Sequence, residues 1–196
     1  MASPVSADLV RPASPRLARV FDAALVAGFS LLIALSAQVA IPLPFTPVPV
    51  TLQTFAILLT GVLLGSRRGA LAAAAYVVEG SLGLPFFSGG TAGIAHLLGP
   101  TGGYLVGCVA AAFVAGLLAE KGVASRPAGL LLVLCAADLV VFIPGLAWLG
   151  LFIGAGKAVA LGFLPFLIGD ALKIAAAWSI LMGAALVTSR IRDRAA

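Results

Sequence analysis

The feature that most constrains this chain is the length of its uninterrupted apolar stretches. Of its 196 residues, 62% are hydrophobic and only 10% carry a charge, whereas a soluble domain carries about 25% charged residues. Stretches of roughly 17–25 apolar residues cross a bilayer as helices, and the alternation typical of a membrane barrel is absent. The sequence therefore predicts an all-α, polytopic membrane protein. Six transmembrane helices are predicted, at about 21–41, 52–66, 69–87, 103–120, 128–150 and 165–188.

The predicted helices form one membrane domain, residues 20–189, between cytoplasmic tails at 1–19 and 190–196. The first tail contains Ser, Pro and Arg but no apolar core, so it does not have the pattern of a cleavable signal. The second helix is short, and we expect the Pro144-Gly145 pair to bend the fifth helix or end it early.

The basic residues orient this domain. The sequence has 12 Lys and Arg residues, and ten of them fall on one side of the six-helix arrangement. By the positive-inside rule, both termini are then cytoplasmic and the protein is a multi-pass protein of the cell membrane. The net charge of +5 therefore reflects topology and contact with the lipid bilayer, and nucleic-acid binding is not expected. The ten residues are Arg11, Arg16, Arg19, Arg67, Arg68, Lys121, Arg126, Arg190, Arg192 and Arg194.

Asp170 and Lys173 are charges at a place where charges are unfavourable. They lie in an otherwise apolar spanning stretch and are three residues apart, so they share one face of a helix. A charged side chain at the centre of a spanning helix costs roughly 2.5–3.5 kcal/mol, which makes such a pair a candidate functional site. The alternative is that the two charges only neutralise each other.

Two loops on the predicted outer side are unusual. Loop one, residues 41–53, carries prolines 42, 44, 47 and 49, so it is extended and stiff. Its apolar residues Phe45 and Val48 favour a lid over a pocket, with an interfacial anchor as the alternative. Gln53, at its end, is a candidate hydrogen-bonding residue for a ligand or between helices.

Loop two, residues 83–104, contains seven glycines. Glycine lets the backbone come close to a ligand, and we take Gly89, Gly90 and Tyr104 of this loop as candidate contacts. His96, the only histidine, cannot form a metal site alone and is expected to pack in the loop.

Two further carboxylates are candidates for the site. Glu79, near the outer end of helix three, could pair with Lys173 or Lys157, or reach the lipid headgroups. Asp138, in the middle of helix five, could face the pocket. No metal site and no cofactor are expected: Cys108 and Cys135 have no metal-ligand spacing and are interpreted as reduced packing residues, and no phosphate-binding loop motif occurs.

Four motifs, taken in order, resemble the BioY family. They are Pro-Phe-Thr-Pro-Val-Pro-Val-Thr-Leu-Gln at 44–53, Gly-Leu-Pro-Phe-Phe at 83–87, Gly-Pro-Thr-Gly-Gly-Tyr at 99–104 and Gly-Asp-Ala-Leu-Lys at 169–173. Members of this family are biotin-specific substrate-binding subunits, or S components, of energy-coupling factor (ECF) transporters. The resemblance implies a six-helix bundle that holds biotin near its outer end, and a membrane coupling subunit (T component) and two cytosolic ATPases as partners. It also implies that Ala23 and Ala27 of helix one, an Ala-x-x-x-Ala pattern, dock on the coupling subunit. Homo-oligomers remain open.

Three other functions were weighed. An S component for another vitamin is the nearest alternative, and a membrane scaffold subunit without a ligand is the next. An intramembrane enzyme would need a nucleophile–base pair or a metal cluster, and the sequence has neither.

Overall fold

The computed structural model of the chain describes residues 7–8 and 11–195, with side chains as far as Leu186. Most of the first predicted tail (1–6 and 9–10), Ala196 and the side chains of Arg190, Arg192 and Arg194 lie outside the described residues.

Helices dominate the fold, as apolar stretches of this length predict. Six helices have 12 or more residues in the described part of the chain: α1 (Pro15–Gln38), α2 (Gln53–Leu64), α3 (Ser66–Ser81), α5 (Gly102–Glu120), α6 (Pro127–Ile153) and α8 (Leu167–Ala195). Two shorter helices, α4 (Ile94–Leu97) and α7 (Ala155–Gly162), lie in the connections before α5 and before α8. The prediction of an all-α membrane bundle is confirmed.

Four stretches of the described chain are long and apolar enough to cross a membrane: α1, α5, α6 and the run from Ala155 to Leu186. The α2 helix is apolar but has 12 residues, and α3 has 16. These two short helices pack beside α5, so the bundle is not built from six spans of equal length.

Several helix ends differ from the sequence-based expectation; α3, for example, ends at Ser81 where about 87 was predicted. The α1 helix begins at Pro15, where a proline in the first turn loses no hydrogen bond. Of the two effects expected of the Pro144-Gly145 pair, the early end is wrong, because α6 continues to Ile153 with Pro144 inside it; a bend stays a prediction. The neighbours Phe142 and Gly145 are buried, Gly145 directly against Tyr104 of α5, and such packing supports a proline within a spanning helix.

The α5 helix lies at the centre of the bundle and packs against α2, α3 and α6. Its buried face consists of small residues, including Ala111, Ala112 and Ala115, each fully buried. Small side chains let helix backbones approach closely in membranes. Large apolar side chains such as Ile143 and Leu172 instead face outward, 70% and 69% exposed, as expected for a surface that contacts lipid.

The two ends of the bundle differ in chemistry. At one end, which we call the arginine end, Arg68 binds Asp8 and Asp22 at 2.8 and 2.9 Å, and Glu120 accepts hydrogen bonds from the backbone and hydroxyl of Ser66. At the other end, loop one is closed by a short antiparallel pair of strands, β1 (Ala40–Ile41) and β2 (Val50–Thr51). Loop two and the connection between α6 and α8 lie at this second end, where a cavity opens.

Candidate ligand-binding site

The Asp170–Lys173 pair is buried at the start of α8. Lys173 Nζ donates to Asp170 Oδ1 at 2.8 Å and to Thr54 Oγ1 of α2 at 3.1 Å. Asp170 is 4% exposed and Lys173 is 9% exposed. The predicted sharing of one helix face is therefore realised as a direct ion pair, and Thr54 adds a contact from a second helix.

The pair has hydrogen-bonding capacity left over. Asp170 Oδ2 is buried and has no hydrogen-bond partner among the described residues. A lysine ammonium has three N–H donors, and Lys173 uses two. A buried acceptor without a partner is unfavourable by about 1–3 kcal/mol, so the pair presents one acceptor and one donor that suit a polar ligand.

Both side chains line a cavity, which we call the inner cavity. Its empty volume is about 600 Å³, including the part open to solvent. Loop one, loop two and the helices α2, α5, α6 and α8 all contribute to its wall. The apolar lining residues are Val48, Pro49, Leu105, Val141, Phe142 and Phe166, and the polar ones include Thr51, Gln53, Thr54, Ser88, His96, Thr101, Asp170 and Lys173, with Tyr104 and Cys108 between them. An apolar enclosure with a few converging polar groups is typical of a small-molecule site.

Aromatic rings form one side of this enclosure. Phe142 of α6 makes edge-to-face contacts with Tyr104 and Phe163, with ring centroids 6.1 and 4.9 Å apart. The Tyr104 hydroxyl donates to the carbonyl of Gly162 at 2.9 Å, which ties α5 to the end of α7. Val48 of loop one is 6% exposed and packs in the same apolar cluster, so loop one covers the cavity as a lid would.

Other residues of loop two supply a further part of the wall. Phe87 is fully buried, and its ring stacks on the His96 ring at a centroid distance of 5.0 Å. His96 and Ser88 both line the inner cavity. Burial lowers the pKa of His96 below its ordinary value, so its imidazole is neutral at pH 7 and acts as a polar, uncharged part of the wall.

A second space, the outer cavity, lies between the two loops. It shares Pro49, Ser88, His96 and Thr101 with the inner cavity. Its other lining residues come mainly from loop one and loop two, including Pro42, Thr46, Gly89 and Pro100. The outer cavity therefore adjoins the inner one on the side of the two loops.

Comparison with known proteins identifies the chain's relatives. The family model described as "BioY family" matches residues 10–190. The chain belongs to the BioY family.

Individual relatives agree with this assignment. A probable biotin transporter BioY of Pyrococcus horikoshii is 40% identical, over 80% of this chain and 91% of that protein. A biotin transporter BioY of Thermotoga maritima is 42% identical, over 76% of this chain and 86% of that protein. A crystal structure of the S-component for biotin from an ECF-type ABC transporter superposes with a TM-score of 0.75 and 28% identity, over 86% of this chain and 92% of that one.

Five of the predicted site residues of this BioY family member lie on the inner cavity. They come from loop one and from helices α2, α5 and α8, which are distant in sequence and meet only in the fold. The five are Val48, Gln53, Tyr104, Asp170 and Lys173.

The remaining predicted residues lie elsewhere. Phe45 is 56% exposed at the surface of loop one, and Gly89 lines the outer cavity. Gly90 lines neither cavity, and its N–H donates to Gln38. Glu79 accepts a hydrogen bond from Ser30 between α3 and α1; Lys173 pairs with Asp170, so an ion pair between Glu79 and Lys173 is not formed.

Asp138 lies below the inner cavity and does not line it. It is 5% exposed, and its Oδ1 has no partner among the described residues. Val141 and Phe142, three and four residues further along α6, line the cavity, so Asp138 lies about one turn deeper on the same face.

Sequence reasoning missed several lining residues. Thr54 follows Gln53 directly, and its hydroxyl is the signal that could have identified it, since a polar side chain beginning an apolar helix needs a partner. Phe142 and Phe166 gave no such signal, because aromatic residues are common in membrane helices. Cys108, predicted as a packing residue, is a free, buried thiol that accepts from Gln53 Nε2 at 3.4 Å.

Proposed function

We propose that this chain is the biotin-binding S component of an ECF-type vitamin uptake transporter. The observation that carries the proposal is the buried Asp170–Lys173 pair, with one free acceptor and one free donor, in an apolar cavity of a BioY family member. Members of this family are transport subunits, and the chain is not an enzyme.

The charge of the pair favours one orientation of biotin. Biotin has an anionic carboxylate at the end of its valeryl chain and a neutral ureido group on its bicyclic ring. The ureido carbonyl and N–H lie side by side, so they complement the free N–H of Lys173 and the free Oδ2 of Asp170. Because the ion pair has no net charge, it suits the neutral ureido group better than the carboxylate. The bicyclic ring then packs on Phe142 and Phe166, and the valeryl chain extends toward the outer cavity.

Analogues of biotin test this orientation. Biotin methyl ester has no carboxylate charge but keeps the ureido group, whereas 2-iminobiotin has an N–H in place of the ureido oxygen. We expect the methyl ester to bind nearly as well as biotin and 2-iminobiotin to bind at least tenfold more weakly. The reverse order would place the carboxylate at Lys173.

Transport requires partners, and we propose a membrane T component and two cytosolic ABC-type ATPases for this role. The support is the similarity to the S-component structure and the absence of a phosphate-binding loop motif in the sequence. Ala23 and Ala27 are exposed on α1 and are proposed to contact the T component. Whether two copies of the chain associate is left to measurement.

The proposed topology has six spans in one domain, with both termini in the cytoplasm of a cell-membrane protein. Its support is the arginine end, where the N-terminal segment, the first turn of α3 and the α5–α6 connection carry basic residues. Single cysteines placed near Arg67 and in loop one, probed with a membrane-impermeant thiol reagent on whole cells, test it. Labelling in loop one alone is expected.

Uptake in cells tests the function. A biotin-auxotrophic host that lacks its own transporter is supplied with this chain, with and without an ECF coupling module. We expect accumulation of radiolabelled biotin that depends on the chain and is lost in Lys173→Met. Accumulation of another vitamin in place of biotin would assign the chain to a different substrate. If the chain is a scaffold subunit, it binds neither biotin nor another vitamin.

A further inference from the structure

One side chain, Gln38, joins the end of α1 to loop two. Gln38 is the last residue of α1 and is exposed. Loop one begins three residues after it, at Ile41, and loop two passes beside it. Gln38 lines neither cavity, so any effect it has on a ligand acts through the loops.

Both polar groups of the Gln38 side-chain amide, the NH2 and the oxygen, form hydrogen bonds with the backbone of loop two. Its Nε2 lies 3.1, 3.3 and 3.4 Å from the carbonyl oxygens of Phe86, Phe87 and Pro85, and 3.0 Å from that of Ala34 in its own helix. Its Oε1 accepts the N–H of Gly90 at 3.0 Å. The two N–H groups of Gln38 Nε2 are therefore shared among four carbonyl oxygens. The Gln38 amide oxygen binds Gly90, at the other end of the 85–90 segment.

The turn that Gln38 binds contains two residues with positive φ. Gly89 and Gly90 have φ values of +68° and +72°, a left-handed region that residues with a Cβ rarely adopt. The Gly90 N–H is shared between Phe87 O at 3.1 Å and Gln38 Oε1. Consecutive glycines have little intrinsic preference for this conformation. The hydrogen bond from Gly90 N–H to Gln38 Oε1 therefore adds to the bonds within the turn that select it.

The held turn positions part of the cavity wall. Phe87 lies between Tyr76, with ring centroids 5.7 Å apart in an edge-to-face contact, and His96. Ser88, the next residue, lines both cavities, as does His96. Ser88 belongs to the 85–90 segment, so the position of this segment against α1 sets part of the wall of both cavities.

We propose that Gln38 is a positioning residue that clasps loop two to the end of α1, beside the start of loop one, and so slows the release of ligand from the inner cavity. The identity of the ligand, biotin, rests on the proposed function. A ligand leaving the inner cavity passes between the loops, and opening this gap breaks the hydrogen bonds of the clasp. A net loss of one or two ordinary hydrogen bonds corresponds to release about tenfold faster.

Two variants and one control test the clasp by measuring the dissociation rate of radiolabelled biotin in a chase with unlabelled biotin. Gln38→Met keeps the length of the side chain and removes every polar contact. Gln38→Glu keeps an acceptor for Gly90 N–H but places a carboxylate against three carbonyl oxygens. The control is Ser36→Ala, because the Ser36 hydroxyl donates to Leu32 O within α1 and has no other hydrogen bond among the described residues. We expect about tenfold faster release from both Gln38 variants and an unchanged rate from the control.

The ligand-free melting temperature separates positioning from simple stabilisation. Faster release from Gln38→Met at a nearly wild-type melting temperature supports positioning, and faster release that comes only with a large fall in melting temperature would assign Gln38 to stability alone and overturn the proposal. Slower or unchanged release from Gln38→Met, whether or not its melting temperature falls, would overturn the proposal. If the wild-type chain binds no biotin, the proposed function fails, and the clasp is tested alone by hydrogen exchange at Gly90. Faster exchange at Gly90 in Gln38→Met than in wild type then supports the clasp, and equal exchange refutes it. Should Gln38→Met not fold, Gln38→Glu is measured in its place, with the same criteria.

Discussion

Removal of Lys173 and Asp170, singly and together, separates a ligand-binding pair from one that only neutralises itself. In Lys173→Met, Asp170 Oδ1 loses its partner at 2.8 Å, and both oxygens of a carboxylate that is 4% exposed are left unpaired. Breaking a buried ion pair from one side costs about 3–5 kcal/mol of folding free energy. In Asp170→Leu, Lys173 keeps Thr54 as its partner, so we expect a smaller loss.

The double variant Asp170→Leu/Lys173→Met shows whether the pair binds a ligand or only neutralises its own charges. A buried pair can often be replaced by apolar residues at little cost, so we expect the double variant to be more stable than Lys173→Met. The affinity of the double variant for biotin should nevertheless be lower than that of wild type by about 2–4 kcal/mol, or roughly 30- to 1,000-fold, because the donor and acceptor for the ligand are absent.

Thermal unfolding in detergent and equilibrium binding of radiolabelled biotin, measured on the same preparations, provide the two readouts. Leu172→Ala is the matched control, since Leu172 lies between the pair on α8 but is 69% exposed to the surroundings; its affinity should equal that of wild type. A stable double variant with near wild-type affinity would refute the role of the pair in binding.

Three further results are expected. In Gly80→Ala, the new Cβ would overlap the Phe87 ring; we expect about 1–3 kcal/mol of destabilisation and weaker biotin binding, and an unchanged melting temperature would contradict this packing. A spin label at Phe45, which is 56% exposed on the predicted lid, should lose mobility when biotin is added, since closure of a lid orders it; an unchanged spectrum at saturation would favour an interfacial anchor. Ala27→Trp, on the exposed face of α1, should abolish co-purification with the T component while leaving biotin affinity unchanged, and co-purification that survives would remove Ala27 from that interface.

The fold was predictable because two strong physical signals agree along the sequence. Apolar length predicted the helices, and the placement of arginines predicted which connections share an end of the bundle. The helix predicted at 128–150 already contained Pro144, but the sequence did not show whether the proline ends it. The continuation of α6 to Ile153 is accompanied by packing of Gly145 against Tyr104 of α5, which is distant in sequence.

The site was predictable where polarity contrasts with its surroundings. Asp170, Lys173 and Gln53 were found because each is polar in an apolar stretch, and all three line the inner cavity. Glu79 gave the same signal, but its hydrogen bond goes to Ser30. The sequence shows that such a residue needs a hydrogen-bonding partner, but it does not show which residue that partner is.

The backbone contacts of Gln38 could not be read from the sequence at all. They join positions 47 to 52 residues apart, and a glutamine at the end of a helix is unremarkable in composition. Only the folded arrangement brings the amide against the carbonyls of residues 85–87.

The most direct test of the central claim is equilibrium binding of biotin to the purified chain, without nucleotide and without partner subunits. Isothermal titration in detergent should give one biotin per chain with a dissociation constant well below micromolar, and no measurable heat with riboflavin or thiamine. Micromolar or weaker binding of biotin, or equal binding of the other vitamins, would contradict the account.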